Sequence, residues 1–184
     1  MADVKSLAMR HFLPNGTPIL IRAIRPDDKE RLRAAFDNLE RRSVYTRFFG
    51  YKKGLTEAEL EQATNVDSDR VVALVAVIGP EGAETIIGGA RYMRNDNPAS
   101  RLSAEVAFTV EEDYQGQGIA RCLLGHLIDI ARRNGLSQLD ADVLASNRPM
   151  LGVFARSGLP IRQQHDHDVI RVTLSLATER SQVS

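Results

Sequence analysis

The chain contains a single cysteine in 184 residues, which excludes a framework of intramolecular disulfides. Such sparse cysteine is typical of a reducing compartment. The sequence also lacks an apolar run of about 18 residues, the length that a transmembrane helix needs. Residues 1–16 lack the apolar segment of a signal peptide. With no other targeting signal, we expect a cytoplasmic location.

An excess of charge of either sign is also lacking, because 24 Lys and Arg residues balance 24 Asp and Glu residues. Nucleic acids and anionic membranes select strongly basic surfaces, so neither is expected as the main partner. The sequence does not determine the oligomeric state, and a homodimer is one option.

Internal repeats and low-complexity linkers are missing as well. A chain with 43% hydrophobic and 26% charged residues has the composition of an ordinary globular domain with a buried core. We therefore expect one domain at 17–177, between flexible ends at 1–16 and 178–184.

Hydrophobic periodicity and turn residues indicate the secondary structure. Short turns separate the apolar segments in the middle of the chain, which predicts an antiparallel meander. The whole pattern predicts an α/β (α+β) fold, in which a mixed, mostly antiparallel sheet of about six to seven strands has helices on both faces. The predicted strands are 18–24, 71–79, 84–94, 101–110, 138–144 and 168–176. The predicted helices begin at Pro26, near Thr56 with a capping box to Glu59, at about Gly116 and at Arg148.

A glycine-rich turn between a predicted strand and the longest predicted helix is the most informative local feature. Residues 115–120 are Gln-Gly-Gln-Gly-Ile-Ala. Glycines at 116 and 118 allow a ligand to approach the backbone, and the first helical turn presents unpaired N–H groups and the positive end of its dipole. This arrangement predicts an anion site, most often for phosphate. The acidic residues at 111–113 would repel a phosphate, so we expect them to face solvent.

A dinucleotide-binding fingerprint is one interpretation of this turn. That fingerprint needs a third small residue where this chain has Arg121. The preceding segments also form antiparallel hairpins, whereas the fingerprint opens a βαβ unit. The dinucleotide hypothesis is therefore rejected.

A second interpretation rests on a family resemblance. Gln115-x-x-Gly118-x-Ala120 resembles the acetyl-CoA loop of the GNAT acetyltransferase superfamily, whose pattern is Gln/Arg-x-x-Gly-x-Gly/Ala. Residues 147–159 resemble the later motif of that family. Segments 47–77 and 104–120 look most like the catalytic domain of bacterial Pat-type protein lysine acetyltransferases. The resemblance implies a GNAT-like fold and acetyl-CoA as co-substrate.

The resemblance also implies which residues contact acetyl-CoA. The backbone of Phe108, Thr109 and Val110 would bind the pantetheine arm. Asn147 would add a side-chain contact, although it is equally suited to cap the following helix. The amides of the glycine turn would hold the pyrophosphate, and they belong to Gln115, Gly116, Gln117, Gly118, Ile119, Ala120 and Arg121.

Glu105 is the candidate general base. A lysine amine has an ordinary pKa of about 10.4 and must lose a proton before it attacks a thioester. Strand alternation places Glu105 on the same face as Ala107 and Thr109, and the resemblance places it where several GNAT members have a catalytic glutamate. The alternative is a structural carboxylate that pairs with Arg91 or Arg101 on a neighbouring strand.

The general acid for the leaving thiolate has no clear counterpart. Many GNAT members have a tyrosine in the later motif, where this chain has Phe154, which has no proton to give. Phe154 is expected to pack beside the cofactor arm or in the core. Tyr114 and Ser157 are the remaining candidates for the acid.

Metal and covalent chemistry have little support in the sequence. His165 and His167 flank Asp166 in a polar turn, but two histidines without further ligands do not indicate a metal site, and we expect none. Cys122 lies near the apolar face of the long helix, where a small core residue is expected more than a nucleophile.

The sequence therefore predicts an acetyl-CoA-dependent N-acetyltransferase with direct transfer to a primary amine. The Pat-type resemblance suggests a protein lysine as the acceptor. Two alternatives remain, a small-molecule amine as the acceptor, or a non-catalytic acyl-CoA-binding or interaction module.

Overall fold

The computed structural model describes residues 4–48, 52–97 and 102–177, apart from the side chains of residues 45 and 46. The expected flexible tail at 178–184 lies outside these residues, as does Arg101, one of the partners considered for Glu105.

The described residues form eight strands that belong to one sheet. The strands are β1 (Ala8–Phe12), β2 (Pro18–Ala23), β3 (Val71–Ile78), β4 (Thr85–Arg94), β5 (Ser103–Val110), β6 (Gln138–Leu144), β7 (Ile161–Asp166) and β8 (Val169–Ser175). Their order in the sheet is β1-β2-β3-β4-β5-β6-β8-β7. The pair β5–β6 is parallel, and the other neighbours are antiparallel. The predicted mixed, mostly antiparallel sheet is confirmed, with eight strands where six to seven were expected.

Five α-helices lie in the described part of the chain: α1 (Lys29–Asp37), α2 (Arg41–Phe48), α3 (Glu57–Thr64), α4 (Ile119–Arg133) and α5 (Arg148–Ala155). The predicted capping box opens α3, because the Thr56 hydroxyl accepts the Glu59 N–H while the Glu59 carboxylate accepts the Thr56 N–H. Within the same residues no helix has both the length and the apolar character to cross a membrane.

The helices cover both faces of the sheet, as predicted. Ala104 and Val106 of β5 are buried in the main core together with Leu123 and Leu127 of α4. Side chains alternate along a strand, so the residues between them point to the other face. On that face Ala107 lines a cavity that α1, α2 and α3 cover. β5 therefore has one side facing the core and one side facing a cavity.

Three elements were missed by the sequence pattern. β1 lies at one edge of the sheet, where it pairs only with β2, within the stretch expected to be a flexible N-terminus. β7 lies at the other edge, and five of its six residues are exposed. α2 has Val44 as its buried residue among the described side chains. Each element lacks the clear apolar periodicity from which strands and helices are predicted, because little of its surface is buried.

Candidate active site

A gap opens in the sheet between β5 and β6. The two strands pair only from Ser103 opposite Gln138 to Glu105 opposite Asp140. β5 nevertheless continues to residue 110 and β6 to residue 144. The gap therefore begins beside Glu105 and widens toward the glycine turn that follows β5.

The backbone of β5 offers hydrogen-bonding groups to this gap. Glu111 donates its backbone N–H to the Ile87 C=O at the start of β4, at 3.0 Å. Because successive residues of a strand turn their N–H and C=O to opposite sides, Phe108 and Val110 direct these groups toward the gap. Thr109 directs its backbone toward β4. The geometry therefore supports the predicted pantetheine contacts of Phe108 and Val110 more directly than that of Thr109.

The glycine turn forms an open cradle of backbone amides. Gly116 and Gly118 have φ angles of 73° and 89°, in the left-handed region, and a Cβ atom built on either would meet nothing within 4 Å. These angles exclude both residues from the helix, so α4 begins at Ile119 and not at the predicted Gly116. Within the described chain, no atom accepts a hydrogen bond from the amides of residues 116–121. Unpaired amides at the positive end of a helix fit a diphosphate group.

The side chains after the turn anchor α4 to the sheet. Ile119 is buried, Ala120 is half-buried and Arg121 is exposed. A Cβ atom on Gly88 of β4 would lie 3.2 Å from the Ile119 side chain, so the glycine in β4 permits this close approach. The start of α4, and with it the amide cradle, is thereby held close to the end of β5.

The two glutamines of the turn use their side chains to shape it. The Gln115 amide group donates to the Val110 C=O at 2.9 Å and to the Ser43 hydroxyl of α2 at 3.2 Å. The Gln117 amide group donates to the Asp113 C=O at 3.0 Å. In this structure both side chains hold the loop together. The Gln117 backbone amide is unpaired at the cradle, whereas the Gln115 backbone N–H donates to the Glu112 C=O at 3.2 Å, so the predicted pyrophosphate contact of the Gln115 amide is not supported.

The acidic residues before the turn do not all face solvent, so that expectation is wrong for two of them. Glu112 is half-buried, and its carboxylate accepts the Glu40 N–H, just before α2, at 3.1 Å. Glu111 is half-buried and lines the cavity on the other face of the sheet. Burial raises the pKa of the Glu111 carboxyl, and the nearby Asp113 and Glu112 raise it further. Asp113 is exposed, as expected.

Glu105 lies where β5 and β6 separate. Its side chain is exposed, and within the described residues it makes no hydrogen bond or ion pair. The predicted alternative, a structural ion pair with Arg91, is therefore not formed. The neighbouring Asp140 is buried and accepts hydrogen bonds from the side chains of Gln138 and Thr173. Glu105 is thus the carboxylate at the closed end of the gap that remains available to a ligand.

The later motif supplies packing and a helix cap. Phe154 is 1% exposed, and its ring packs edge-to-face on Phe108 with the centroids 5.8 Å apart. The Asn147 side-chain oxygen accepts the Met150 N–H at 3.3 Å, so the predicted helix cap is confirmed. The amide group of Asn147 has no partner among the described residues, and its contact with the pantetheine arm stays a prediction.

Neither candidate for the general acid points clearly to that role. Tyr114 is half-buried and packs against the main core. The Ser157 hydroxyl accepts the Leu159 N–H at 3.3 Å. Both assignments stay predictions.

A cavity of about 410 Å³ lies on the opposite face of β5, under α1, α2 and α3. Arg47 of α2, Arg91 of β4 and Glu111 line it next to Ala107 and Thr109. Sequence reasoning missed Arg47 and Glu111 as site residues, because no motif surrounds Arg47 and because Glu111 was assigned to solvent. Side chains alternate along a strand, so residues separated by an even number of positions lie on the same face. This alternation along β5 could have placed Glu111 on the face of Glu105.

Replacing Gly118 with valine tests the amide cradle. A side chain at this left-handed φ costs about 1–2 kcal/mol, so we expect the turn to relax and coenzyme A to bind about 5- to 30-fold more weakly. Isothermal titration calorimetry with coenzyme A measures the change. Gly125→Ala is the control, because Gly125 lies exposed within α4 with open space around it. If Gly118→Val and wild type bind coenzyme A with equal affinity, the cradle is not part of the binding site.

Comparison with known proteins identifies related acetyltransferases. The sequence model of the Acetyltransferase (GNAT) family matches residues 38–159. Acetyltransferase PA5475 of Pseudomonas aeruginosa is 33% identical over 165 residues, which are 90% of this chain and 87% of that protein. The GNAT domain of S. lividans PAT has a TM-score of 0.82 at 30% identity, over 91% of this chain and 96% of that chain.

The Pat-type resemblance is confirmed by a further relative. Acetyltransferase Pat of Mycolicibacterium smegmatis is 36% identical over 146 residues, which are 78% of this chain and 41% of that protein. This chain therefore corresponds to less than half of the Mycolicibacterium protein. The family match, the related acetyltransferases and the shared fold together show that the chain belongs to the GNAT family of acetyltransferases.

Proposed function

We propose that the chain transfers the acetyl group of acetyl-CoA directly to a primary amine while both substrates are bound. The observation that carries the proposal is the position of the unpaired Glu105 at the closed end of a gap whose open end is an amide cradle. A donor with its diphosphate in the cradle and its arm along Phe108 and Val110 would extend toward Glu105. Acetyl-CoA supplies the acetyl group as a thioester.

Glu105 acts as the general base in this reaction. Its carboxylate takes a proton from the ammonium group of the acceptor, directly or through water, which gives the nitrogen its lone pair. The nitrogen then forms a bond to the acetyl carbon, and the carbon–sulfur bond breaks. Coenzyme A leaves as a thiolate and takes up a proton, and this leaving group is reasonably stable because an ordinary thiol has a pKa of about 8.5.

Direct transfer is favoured over an acetylated cysteine intermediate. Burial raises the pKa of the Cys122 thiol, which Arg121 only partly opposes. A raised pKa lowers the thiolate fraction, and the thiolate is the nucleophile. Cys122 also packs beside the main core. A single half-buried thiol of this kind fits the reducing cytoplasm, which we propose as the location.

Two acceptors fit the proposed reaction. Similarity to Pat-type proteins supports a protein lysine, and one relative is named for acetylating an alanine of ribosomal protein bS18, at 41% identity over 49 residues. The cavity under α1, α2 and α3 favours the second candidate, a small-molecule amine, because its volume is that of a small-ligand pocket.

An acceptor screen tests the proposed function. The chain is incubated with acetyl-CoA and with single amines, namely free amino acids, polyamines and lysine peptides, and thiol release is recorded. We expect release that depends on both the chain and one acceptor class. Coenzyme A binding without turnover on any acceptor would contradict the proposal and favour a non-catalytic binding module.

A further inference from the structure

Arg47 is a partly buried arginine with no carboxylate in direct contact among the described residues. Its side chain lines the cavity under α1, α2 and α3 and lies 4.9 Å from the centre of the Phe48 ring. Within the described chain it makes no hydrogen bond and no ion pair. The guanidinium therefore lies at the cavity with its donors unused.

Other arginines withdrawn from solvent do have partners. Arg22 binds Asp28 at 2.7 Å, and Arg94 donates to the Asn134 C=O at 2.6 Å. At Arg47, burial lowers the pKa to about 10, Arg91 lowers it and Glu105 opposes the change. The group stays charged at neutral pH. A desolvated charge with no anion in direct contact is unfavourable. A bound anion would supply that counter-ion.

Arg91 brings a second unpaired positive charge to the same cavity. It lies on β4 opposite Ala107, diagonal to Glu105, and such diagonal positions are roughly 7–8 Å apart. Within the described residues Arg91 also has no hydrogen bond or ion pair. The candidate base and two free guanidinium groups therefore belong to one side of the sheet.

Most of the remaining cavity wall is apolar, although Glu59, Gln62, Thr109 and Glu111 also line it. An uncharged part of a ligand could pack against this apolar wall, and the volume of about 410 Å³ lies in the range of small-molecule pockets. The apolar side chains that line the cavity from the helix side include Leu32, Ala35, Phe36, Leu39, Phe48 and Leu55.

We propose, on the basis of the proposed function, that the acceptor is a free amino acid with an apolar side chain. Its carboxylate binds Arg47 and Arg91, its side chain fills the apolar part of the cavity, and its amine faces Glu105. The ammonium group of the amino acid loses one proton to Glu105, and the neutral nitrogen forms the amide bond as the thioester carbon–sulfur bond breaks. Coenzyme A leaves as a thiolate, which takes up the second proton that the nitrogen releases. A lysine side chain of a protein has no carboxylate beside its amine, so it would leave both arginines unpaired.

Matched acceptors test this inference. Steady-state rates are measured for leucine and phenylalanine, for their carboxamides, and for a lysine peptide. Charge-assisted hydrogen bonds to arginine predict a kcat/KM about 10- to 100-fold higher for each amino acid than for its carboxamide. R47M is expected to remove this preference mainly through KM. R42M, an exposed position of the same helix, should keep it, and coenzyme A titration checks that both variants bind the donor.

The outcomes separate the inference from the proposed function. Turnover of lysine peptides without turnover of amino acids would overturn the inference and leave the proposed function in place. Equal turnover of amino acids and carboxamides, or an equal loss on all acceptors in R47M, would also overturn it. Absence of thiol release with every acceptor would overturn both.

Discussion

Replacing Glu105 with glutamine is expected to lower kcat for acetyl transfer by about 10²- to 10⁴-fold, the usual contribution of a positioned general base. Glutamine keeps the shape of the side chain but cannot take the proton. Because Glu105 has no ion pair in the described residues, its replacement should not affect folding. Thiol release at saturating acetyl-CoA gives the rate, and thermal unfolding verifies the fold.

The pH dependence identifies the role of Glu105 more sharply than the rate alone. A lysine acceptor with an ordinary pKa of about 10.4 is mostly protonated at pH 7 and increasingly neutral above pH 9, and an α-amino group, which has a lower pKa, becomes neutral at lower pH. The difference in kcat between Glu105→Gln and wild type should therefore become smaller as the pH rises, because a larger fraction of the acceptor amine is already neutral. Asp142→Asn, an exposed carboxylate on β6 paired with Arg171, is the control. Full activity in Glu105→Gln, or a larger loss of activity in Glu111→Gln than in Glu105→Gln, would contradict the role of Glu105 as the general base.

Replacing Asp28 with asparagine is expected to lower the free energy of unfolding by about 3–5 kcal/mol, because the buried Arg22 loses its hydrogen-bonded carboxylate and keeps only Glu84, at 3.8 Å. The Asp28 side chain is 0% exposed and binds the Arg22 guanidinium through two hydrogen bonds of 2.7 and 2.8 Å. It also accepts the Arg25 N–H at 2.8 Å and a hydrogen bond from Arg31 at 3.2 Å. These contacts fasten the start of α1, and hence one wall of the cavity, to β2.

The stability of this ion pair also depends on pH. Burial by itself raises the pKa of the Asp28 carboxyl, but hydrogen bonds from Arg22 and Arg25 outweigh burial, so the folded pKa is lowered. A lowered folded pKa means that the stabilisation is present above the unfolded value of about 3.9 and is lost as the pH falls through the folded value. Asp28→Asn should therefore differ less from wild type below about pH 4 than at neutral pH.

Thermal unfolding at pH 7 measures the Asp28 effect. For a domain of this size, 1 kcal/mol corresponds to about 2–4 °C in Tm, so a fall of roughly 6–20 °C is expected. Asp142→Asn breaks an exposed ion pair and should cost no more than about 1 kcal/mol. Equal Tm values for the two variants would contradict the structural role given to Asp28.

The central elements of the fold could be predicted from the sequence because their patterns are local. β3, β4, β5 and β6 are apolar or alternating segments, and α4 has Ile119, Leu123, Leu127 and Ala131 buried on one face as its spacing predicts. The glycine turn could be placed because its residues are needed at left-handed φ angles. The edge strands β1 and β7 could not be predicted from the sequence. Neither face of these strands is buried, so their apolar residues show no periodic pattern.

The candidate site was predictable only where a motif or alternation along one strand carries the information. Glu105, Phe108 and the amides of 116–121 follow from their position on β5 and the turn after it. The cavity depends instead on how α2 packs over β4, which brings Arg47 to Arg91 across 44 positions of sequence. Contacts of that kind have no local pattern, so the proposed acceptor cavity emerged only from the structure.

Hydrogen–deuterium exchange with and without coenzyme A tests most directly whether the donor binds in the gap and the glycine cradle. Bound ligand should slow exchange in two segments, 106–110 along the gap and 116–121 in the turn, because both present backbone amides to it. Segments at the far edges of the sheet, 8–12 and 161–166, should exchange unchanged. Protection confined to other parts of the chain, with 106–110 and 116–121 unaffected by bound coenzyme A, would contradict the proposed donor site.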